Sequence, residues 1–287
     1  MKTGVFLSKK KDGTIYFRSS FTYKNKHISL GSFSSEDTAF LAYKEALMLT
    51  DNKLHMGLEN YNKKKHILNF KKWVSIINFR DNGLYFKTPI YLKKKYFEYY
   101  LDNENILKFD ADDLFFYSTH SIMKRGGHYF VSDYGMQINI LNRYGIKNFA
   151  VPGKDYRFVN GDNTDFRYVN IAIINHYNGV TREISNGLFT YIAKIHINGD
   201  FLIGRYNNET DAGIAYNKAV DILWAKGVSI NYHKNYIDGI NSEEYKARYE
   251  NIIISKKLRD YNPWASNHSK IACPIVSASS SVLFLYR

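Results

Sequence analysis

The stretch FVNGDNTDFRYVNI, Phe158 to Ile171, gathers Asn160, Gly161, Asp162, Asp165, Arg167 and Asn170 within a few positions. Carboxylates of this kind are possible metal ligands, and a histidine beside them could act as a base. His120, His128 and His176 are the nearby histidines and Asp155 is a further carboxylate, but none has a spacing that ties it to this stretch. The same residues also suit a turn and a helix start held by side chain to backbone hydrogen bonds, a scaffold with no chemistry of its own. In KRGGHYF, Lys124 to Phe130, the glycine pair lacks the Lys-Ser/Thr that a phosphate-binding loop places before a helix, and the segment reads as a hairpin turn.

A second kind of chemistry, attraction of a polyanion, follows from charge. Lys and Arg number 40 against 27 Asp and Glu over 287 residues, a net charge of +13 and a pI near 9.4. Contacts with phosphates release condensed counterions, so nucleic acid is the first partner to consider. Lysine clumps such as Lys9 to Lys11, Lys63 to Lys65 and Lys93 to Lys95 suit solvated loops as well as phosphate contacts. Apolar residues at 45% and charged ones at 23% describe a globular chain with room for two or three small domains. No apolar run approaches the length of a membrane span, and the opening MKTGVFLSKKKDG lacks a signal-peptide core. The expected setting is cytoplasmic or nucleoid-associated. The single cysteine, Cys273, excludes an internal disulfide and a cysteine-based zinc site.

The elements that must position these groups are written twice. GSFSSEDTAFLAYKEALML, Gly31 to Leu49, and GRYNNETDAGIAYNKAVDI, Gly204 to Ile222, share G-x-[FY]-x-x-E-x-x-A-x-x-A-Y-x-x-A. Ala39, Ala42, Tyr43 and Ala46, matched by Ala212, Ala215, Tyr216 and Ala219, recur at i, i+3, i+4 and i+7, one face of a helix. Ser34 or Ser35, and Asn207 or Asn208, stand where an N-cap belongs, with Glu36 and Glu209 in the first turn. Small alanines let such a helix lie close on a sheet. Upstream, FRSSFTYKNKHISLG and YIAKIHINGDFLIG each predict two strands around a polar turn, Asn198-Gly199 being a strong hairpin signal. GVFLS at Gly4 and GVTRE at Gly179 supply a third strand. Alternation turns Phe17, Ser19 and Phe21 towards the helix and Arg18, Ser20 and Thr22 away from it. In the second copy Tyr191, Ala193, Ile195 and Ile197 face the helix, and Ile192, Lys194 and His196 face away. One helix covers one face of three strands, so the polar face stays open and suits a DNA major groove.

This pattern resembles the ethylene-response-factor (APETALA-type) DNA-binding domain. The resemblance implies that the sheet enters the major groove and that exposed strand side chains touch bases and phosphates. Carried over, these are Arg18, Ser20, Thr22, Lys194 and His196 on strand two and His27 and Ser29 on strand three, with Lys9 and Arg182 on or near strand one. Leu202 departs, being apolar where a polar contact is usual. Phe158 to Ile171 is similar to the core of HNH homing-type endonucleases, D-H-x-N-G-D-x-x-D-N-R-x-x-N-L, which an APETALA-type domain often follows in phage and mobile-element proteins. Here Arg157-Phe158 stands at Asp-His, Phe166 at the Asn of D-N-R, and Asn142-Arg143 at an upstream His-Arg. Phenylalanine neither accepts a proton nor binds a metal, and arginine repels the cation, so no catalytic residue, metal or cofactor is expected.

The expected fold is α+β: two small three-stranded-sheet-plus-helix modules, 1–53 and 177–235, flank a central domain, 54–176, whose degenerate ββα (HNH-like) remnant spans about 136–176. A further helix is expected at 236–262, its stretch from Asn241 opening with Ser242, Glu243 and Glu244 and closing with Lys256, Lys257 and Arg259, the order that suits a helix dipole. It would pack on the second module or serve as a basic arm. The serine-rich segment 263–287 reads as a disordered tail. Double-stranded DNA, bound as two non-identical half-sites by a non-cleaving nuclease relative acting as a transcriptional regulator or architectural factor, is the leading expectation. The alternatives are a metal-dependent endonuclease with a rearranged site, and an RNA-binding or protein-interaction scaffold.

Overall fold

A computed structural model describes residues 1–263; the tail from 264 onward lies outside the described residues. The fold is α+β, built from small antiparallel sheets and short helices. The chain divides into two compact units after Ile173.

The first unit opens with β1 (Val5–Lys9), β2 (Ile15–Tyr23) and β3 (Lys26–Phe33), an antiparallel sheet in sequence order, followed by α1 (Glu36–Thr50). Ser35 caps α1, its hydroxyl accepting the Thr38 N–H at 3.2 Å. Ala39, Ala42 and Ala46 are fully buried. Next, α2 (Phe70–Asn82), capped by Asn69 and ended by Gly83 in the left-handed conformation, packs on α1. Leu68, Trp73, Ile76 and Ile77 of this segment share one core with Phe21, Ile28, Leu30, Ala42, Ala46 and Leu49. Residues 54–82 therefore complete the hydrophobic core of the first module.

The rest of this unit contains β4 (Ile90–Leu92), β5 (Tyr96–Tyr100) and β6 (Ile106–Asp110) as one sheet, then α3 (Leu114–Thr119). A second sheet is formed by β7 (Ile122–Arg125), β8 (His128–Asp133) and β9 (Met136–Asn139). Gly126 and Gly127, both at positive φ, make the β7–β8 turn expected of KRGGHYF. Then β10 (Tyr156–Phe158) pairs with β11 (Ile171–Ile173). The expected ββα remnant is thus only ββ: residues 174–179 form a bend and a turn, with no helix. Their backbone is committed elsewhere, the His176 N–H to Glu209 at 2.6 Å and the Asn178 N–H to Asn235 at 2.6 Å.

The loop between β10 and β11 consumes its polar residues internally. Asn160 N–H donates to Asn170 Oδ1 at 2.8 Å, and Asn170 Nδ2 donates to the Asp165 carbonyl at 2.8 Å. Arg167 grips Asp165 with two bonds of 2.8 and 2.5 Å. Asp162 accepts from the Thr164 N–H and hydroxyl at 2.9 and 2.6 Å, and from Lys108 Nζ on β6 at 3.1 Å. These bonds, led by the Thr164 hydroxyl, lower the Asp162 carboxyl to about 2.

The second unit repeats the first module. β12 (Val180–Ser185), β13 (Leu188–His196) and β14 (Asp200–Tyr206) form a sheet in sequence order, and α4 (Glu209–Ala225) lies on it. Asn208 caps α4, and Ala212, Ala215 and Ala219 are fully buried. The single expected C-terminal helix is two, α5 (Ser242–Asn251) and α6 (Lys256–Arg259). Asn241 caps α5, its side-chain oxygen accepting the Glu244 N–H at 2.8 Å. Between the helices, the Ser255 N–H donates to the Ile203 carbonyl at 2.7 Å, pinning the break to β14. The segment packs: Arg248 reaches Asp211 at 3.1 Å, Tyr249 donates to Asp221 at 2.9 Å, and Leu258 is fully buried.

The repetition extends to details that the shared motif does not spell out. A β-bulge interrupts β2–β3 between Ser19 and Ser20, and β13–β14 between Ala193 and Lys194. The extra residues, Leu30 and Ile203, are both buried. At each bulge the strand-two N–H turns to a glycine carbonyl, Ser20 to Gly4 at 3.0 Å and Lys194 to Gly179 at 2.8 Å. Both glycines have positive φ, and a methyl group on either would overlap the ring of Tyr43 or Tyr216. The repeated glutamates act as clasps: Glu36 accepts the Lys2 N–H, and Glu209 the His176 N–H, each at 2.6 Å.

Gly4→Ala and Gly179→Ala combine a left-handed alanine with an overpacked contact, and each is expected to cost about 2–4 kcal/mol. Urea denaturation checks this, and a change within error at both sites would remove the proposed close approach. Because the Asp162 carboxyl is depressed in the folded state, its stabilisation is complete above the ordinary carboxyl value near 4 and is lost as pH falls towards 2. Asp162→Asn should therefore flatten the fall in melting temperature over that window relative to the parent chain. A curve parallel to the parent's would contradict it.

Candidate nucleic-acid interface

Residues paired directly across an antiparallel sheet share a face, so the registers sort every strand position. In the first module the face away from α1 holds the rows Phe6–Arg18–Ser32, Ser8–Tyr16, Ser20–Ser29 and Thr22–His27. Arg18, Thr22, His27, Ser29 and Ser32 are exposed. The Arg18 guanidinium has no hydrogen bond or ion pair among the described residues, so all its donors are available to an acceptor on a base or phosphate. No Asp or Glu stands on these rows.

Three expectations are corrected by burial and by the registers. Ser20 lies on the open face but is only 8% exposed, because its short side chain sits on the central strand, flanked by the Gly4 backbone and by Ser29. Lys9 is exposed but has the parity of Val5, the strand-one core residue, and therefore belongs to the helix side of the sheet. Arg182 is displaced in the same way. It shares parity with Val180, pairs with Tyr191, and places its guanidinium 4.9 Å from the centre of the Phe189 ring.

In the second module the open face holds the rows Thr181–Ile192–Arg205, Glu183–Thr190, Lys194–Leu202 and His196–Asp200. Lys194 is exposed and has no ion-pair partner among the described residues. His196 pairs with Asp200 at 3.0 Å and Arg205 with Glu183 at 3.5 Å, so two of the basic groups face a carboxylate. Leu202 is 43% exposed in the middle of the face. The two open faces share one backbone and differ in charge. Residues 1–53 carry nine Lys and Arg against five Asp and Glu, and residues 177–235 carry six against five.

Sequence reasoning missed Phe6, Ser32 and Arg205, which the registers bring onto the open faces beside Arg18 and Ile192. The available signal was the strand-one glycine: the residue after it, Val5 or Val180, is core, and the next one must point the other way. The histidines do not gather around the β10–β11 loop. His176 pairs with Glu209 at 2.9 Å, and His120 stacks on Phe116 with Asp133 at 3.4 Å. Phe158 and Phe166 meet edge to face at 5.6 Å in the core of the first unit. Among the described residues no three His, Cys, Asp or Glu side chains form a group that could hold a metal ion. No helix among them is long and apolar enough to cross a membrane.

No protein-family model, curated protein or solved structure matches this chain. The counterpart available for either module is thus the other one, which reproduces its sheet order, bulge, helix cap and glycine–tyrosine contact.

Proposed function

We propose that the chain is a sequence-specific double-stranded DNA-binding protein that reads duplex through the open sheet faces of its two modules and does not cleave it. The observation that carries this reading is the bare, acid-free face of the first module, with the unpartnered Arg18 at its centre. A three-stranded ribbon of this kind fits the major groove, where an arginine fork matches the O6 and N7 acceptors of guanine. Thr22, His27, Ser29 and Ser32 supply neutral donors and acceptors around it. The overall charge of +13 supplies the sequence-independent attraction.

The modules have unequal roles in this reading. The first contributes most of the affinity. The second, with two of its basic groups matched to carboxylates, contributes selectivity through Lys194 and through the apolar contact of Leu202, which suits a thymine methyl. Two linked modules gain affinity from effective concentration and read two non-identical half-sites. The absence of cleavage rests on Phe158 at the place of a general base and on Asp162 and Asp165 being spent on Thr164, Lys108 and Arg167. A role as a transcriptional regulator or architectural factor follows from binding without cutting.

Selection of bound fragments from random duplex, followed by anisotropy titration of the recovered site, tests the proposal. Arg18→Ala is expected to weaken binding about tenfold or more, as loss of one good base contact does. Lys194→Ala should have a smaller effect, lowering the salt slope by about one if it touches a phosphate. Lys9→Ala and Arg182→Ala should change affinity little, since both belong to the helix side. Unchanged affinity in Arg18→Ala, or metal-dependent cutting of a plasmid that Asp162→Asn or Asp165→Asn abolishes, would overturn the proposal.

A further inference from the structure

Between the β7–β8 hairpin and the β10–β11 loop lies a cavity of about 370 Å3, within the roughly 300–1,000 Å3 typical of small-ligand sites. Its aromatic walls are Tyr129, Tyr156, Phe158 and Phe166. Tyr129 and Phe158 each stand edge-on to Phe166, at 5.8 and 5.6 Å, so their rings are held at fixed angles by a buried neighbour. The polar side chains of the lining are Lys124, His128, Thr164 and the amides of Asn105, Asn139 and Asn163. Lys124 is exposed, with its ammonium 5.5 Å from the Tyr129 ring and no ion pair among the described residues. Asn163 is exposed and makes no hydrogen bond there. No carboxylate lines the space. Asp102 on the β5–β6 turn accepts from the Glu104 and Asn105 N–H groups at 2.9 and 2.8 Å and from the Asn105 side chain, and it attracts Lys124 without forming a direct ion pair.

Rings for stacking, an amide for a base edge and a lone ammonium form a set that matches one ligand chemistry. We infer that this cavity binds a single nucleobase carrying a 5′-phosphate, the base against Tyr129 and Phe158, its edge on Asn163, and the phosphate on Lys124. A base–aromatic contact contributes enough to be read individually and is tolerant of base identity. An aliphatic metabolite would leave the rings unused, and a cationic one would meet Lys124. The nucleotide comes either free or as an unpaired residue of a strand. None of the lining residues belongs to the open sheet faces, so this site is separate from them and does not rest on their reading.

Saturation-transfer NMR of the full chain with AMP, GMP, CMP and UMP, and with adenosine, tests the inference directly. Base protons should receive saturation, Lys124→Ala should weaken AMP binding about tenfold while sparing adenosine, and Tyr129→Leu should weaken both. Asn163→Ala, on an exposed turn outside the core, gives a second variant expected to weaken AMP without disturbing the fold. A duplex with one unpaired adenine, compared with its fully paired parent, distinguishes the sources. If the unpaired base adds about tenfold and Tyr129→Leu removes that gain, the base belongs to a strand; if AMP binds and the unpaired base adds nothing, the ligand is a free nucleotide. No saturation of any base and no gain from the unpaired adenine, or AMP binding unaltered in all three variants, overturns the inference. Arg18→Ala should leave AMP binding unchanged, so failure here and failure of the sheet-face reading are separable.

Discussion

Everything that the two modules present depends on how closely a helix can approach a sheet. In each, three alanines and a tyrosine lie against the strands, and the tyrosine ring fills the volume that a side chain on the strand-one glycine would occupy. The glycine has to be there for two reasons, its positive φ and its missing Cβ. Its carbonyl in turn accepts the strand-two N–H, adding one rung to the pairing of strands one and two beside the bulge. One contact therefore couples the position of the helix, the path of strand one and its pairing with strand two. With the helix seated on one side, the other side of the sheet carries no helix.

The same scaffold is then finished differently in the two copies. Glu45 and Lys218 hold equivalent positions on α1 and α4, and both clamp the backbone of the segment that follows. Glu45 accepts the Ile67 and Leu68 N–H groups just before α2, whereas Lys218 donates to the Tyr249 and Ile252 carbonyls at the end of α5. An anion suits the start of a helix and a cation its end. The charge reversal is what lets one fold accept two unrelated partners for its helix, and it leaves the sheet faces untouched. On those faces the divergence is again electrostatic, an open Arg18 in one and carboxylate-matched His196 and Arg205 in the other.

Between the modules the polar and aromatic residues of the central segment serve packing. Phe166 and Phe158 join a shared aromatic core with Phe109 and Tyr144, and Asp165 is held buried by Arg167. A second buried acid, Asp113, is matched by Arg143, whose guanidinium lies 4.0 Å from the Phe116 ring centre. A buried carboxylate is costly unless paired and hydrogen-bonded, so these arginines are structural. The polar loop that looks most like a site in the sequence is in the fold the tie between β6 and the β10–β11 hairpin.

What the sequence determined by itself was what depends on local periodicity and on residue type. The alanine faces, the capping residues of α1 and α4, the glycine turn of KRGGHYF and the loop of mutually bonded Asn and Asp were legible because each is decided within a few residues. Which face of the sheet a residue takes was legible for Arg18, Thr22, His27 and Lys194 but not for Lys9 and Arg182, both exposed on the helix side, since strand-one parity is set by pairing with a strand several residues away. Ser20 escaped because burial on a central strand depends on both neighbours. The bulges, the glutamate clasps, the break between α5 and α6 and the missing helix after β11 were decided by tertiary structure alone. Each depends on a backbone group finding its acceptor or donor far along the chain, and residue order near the site does not encode that distance.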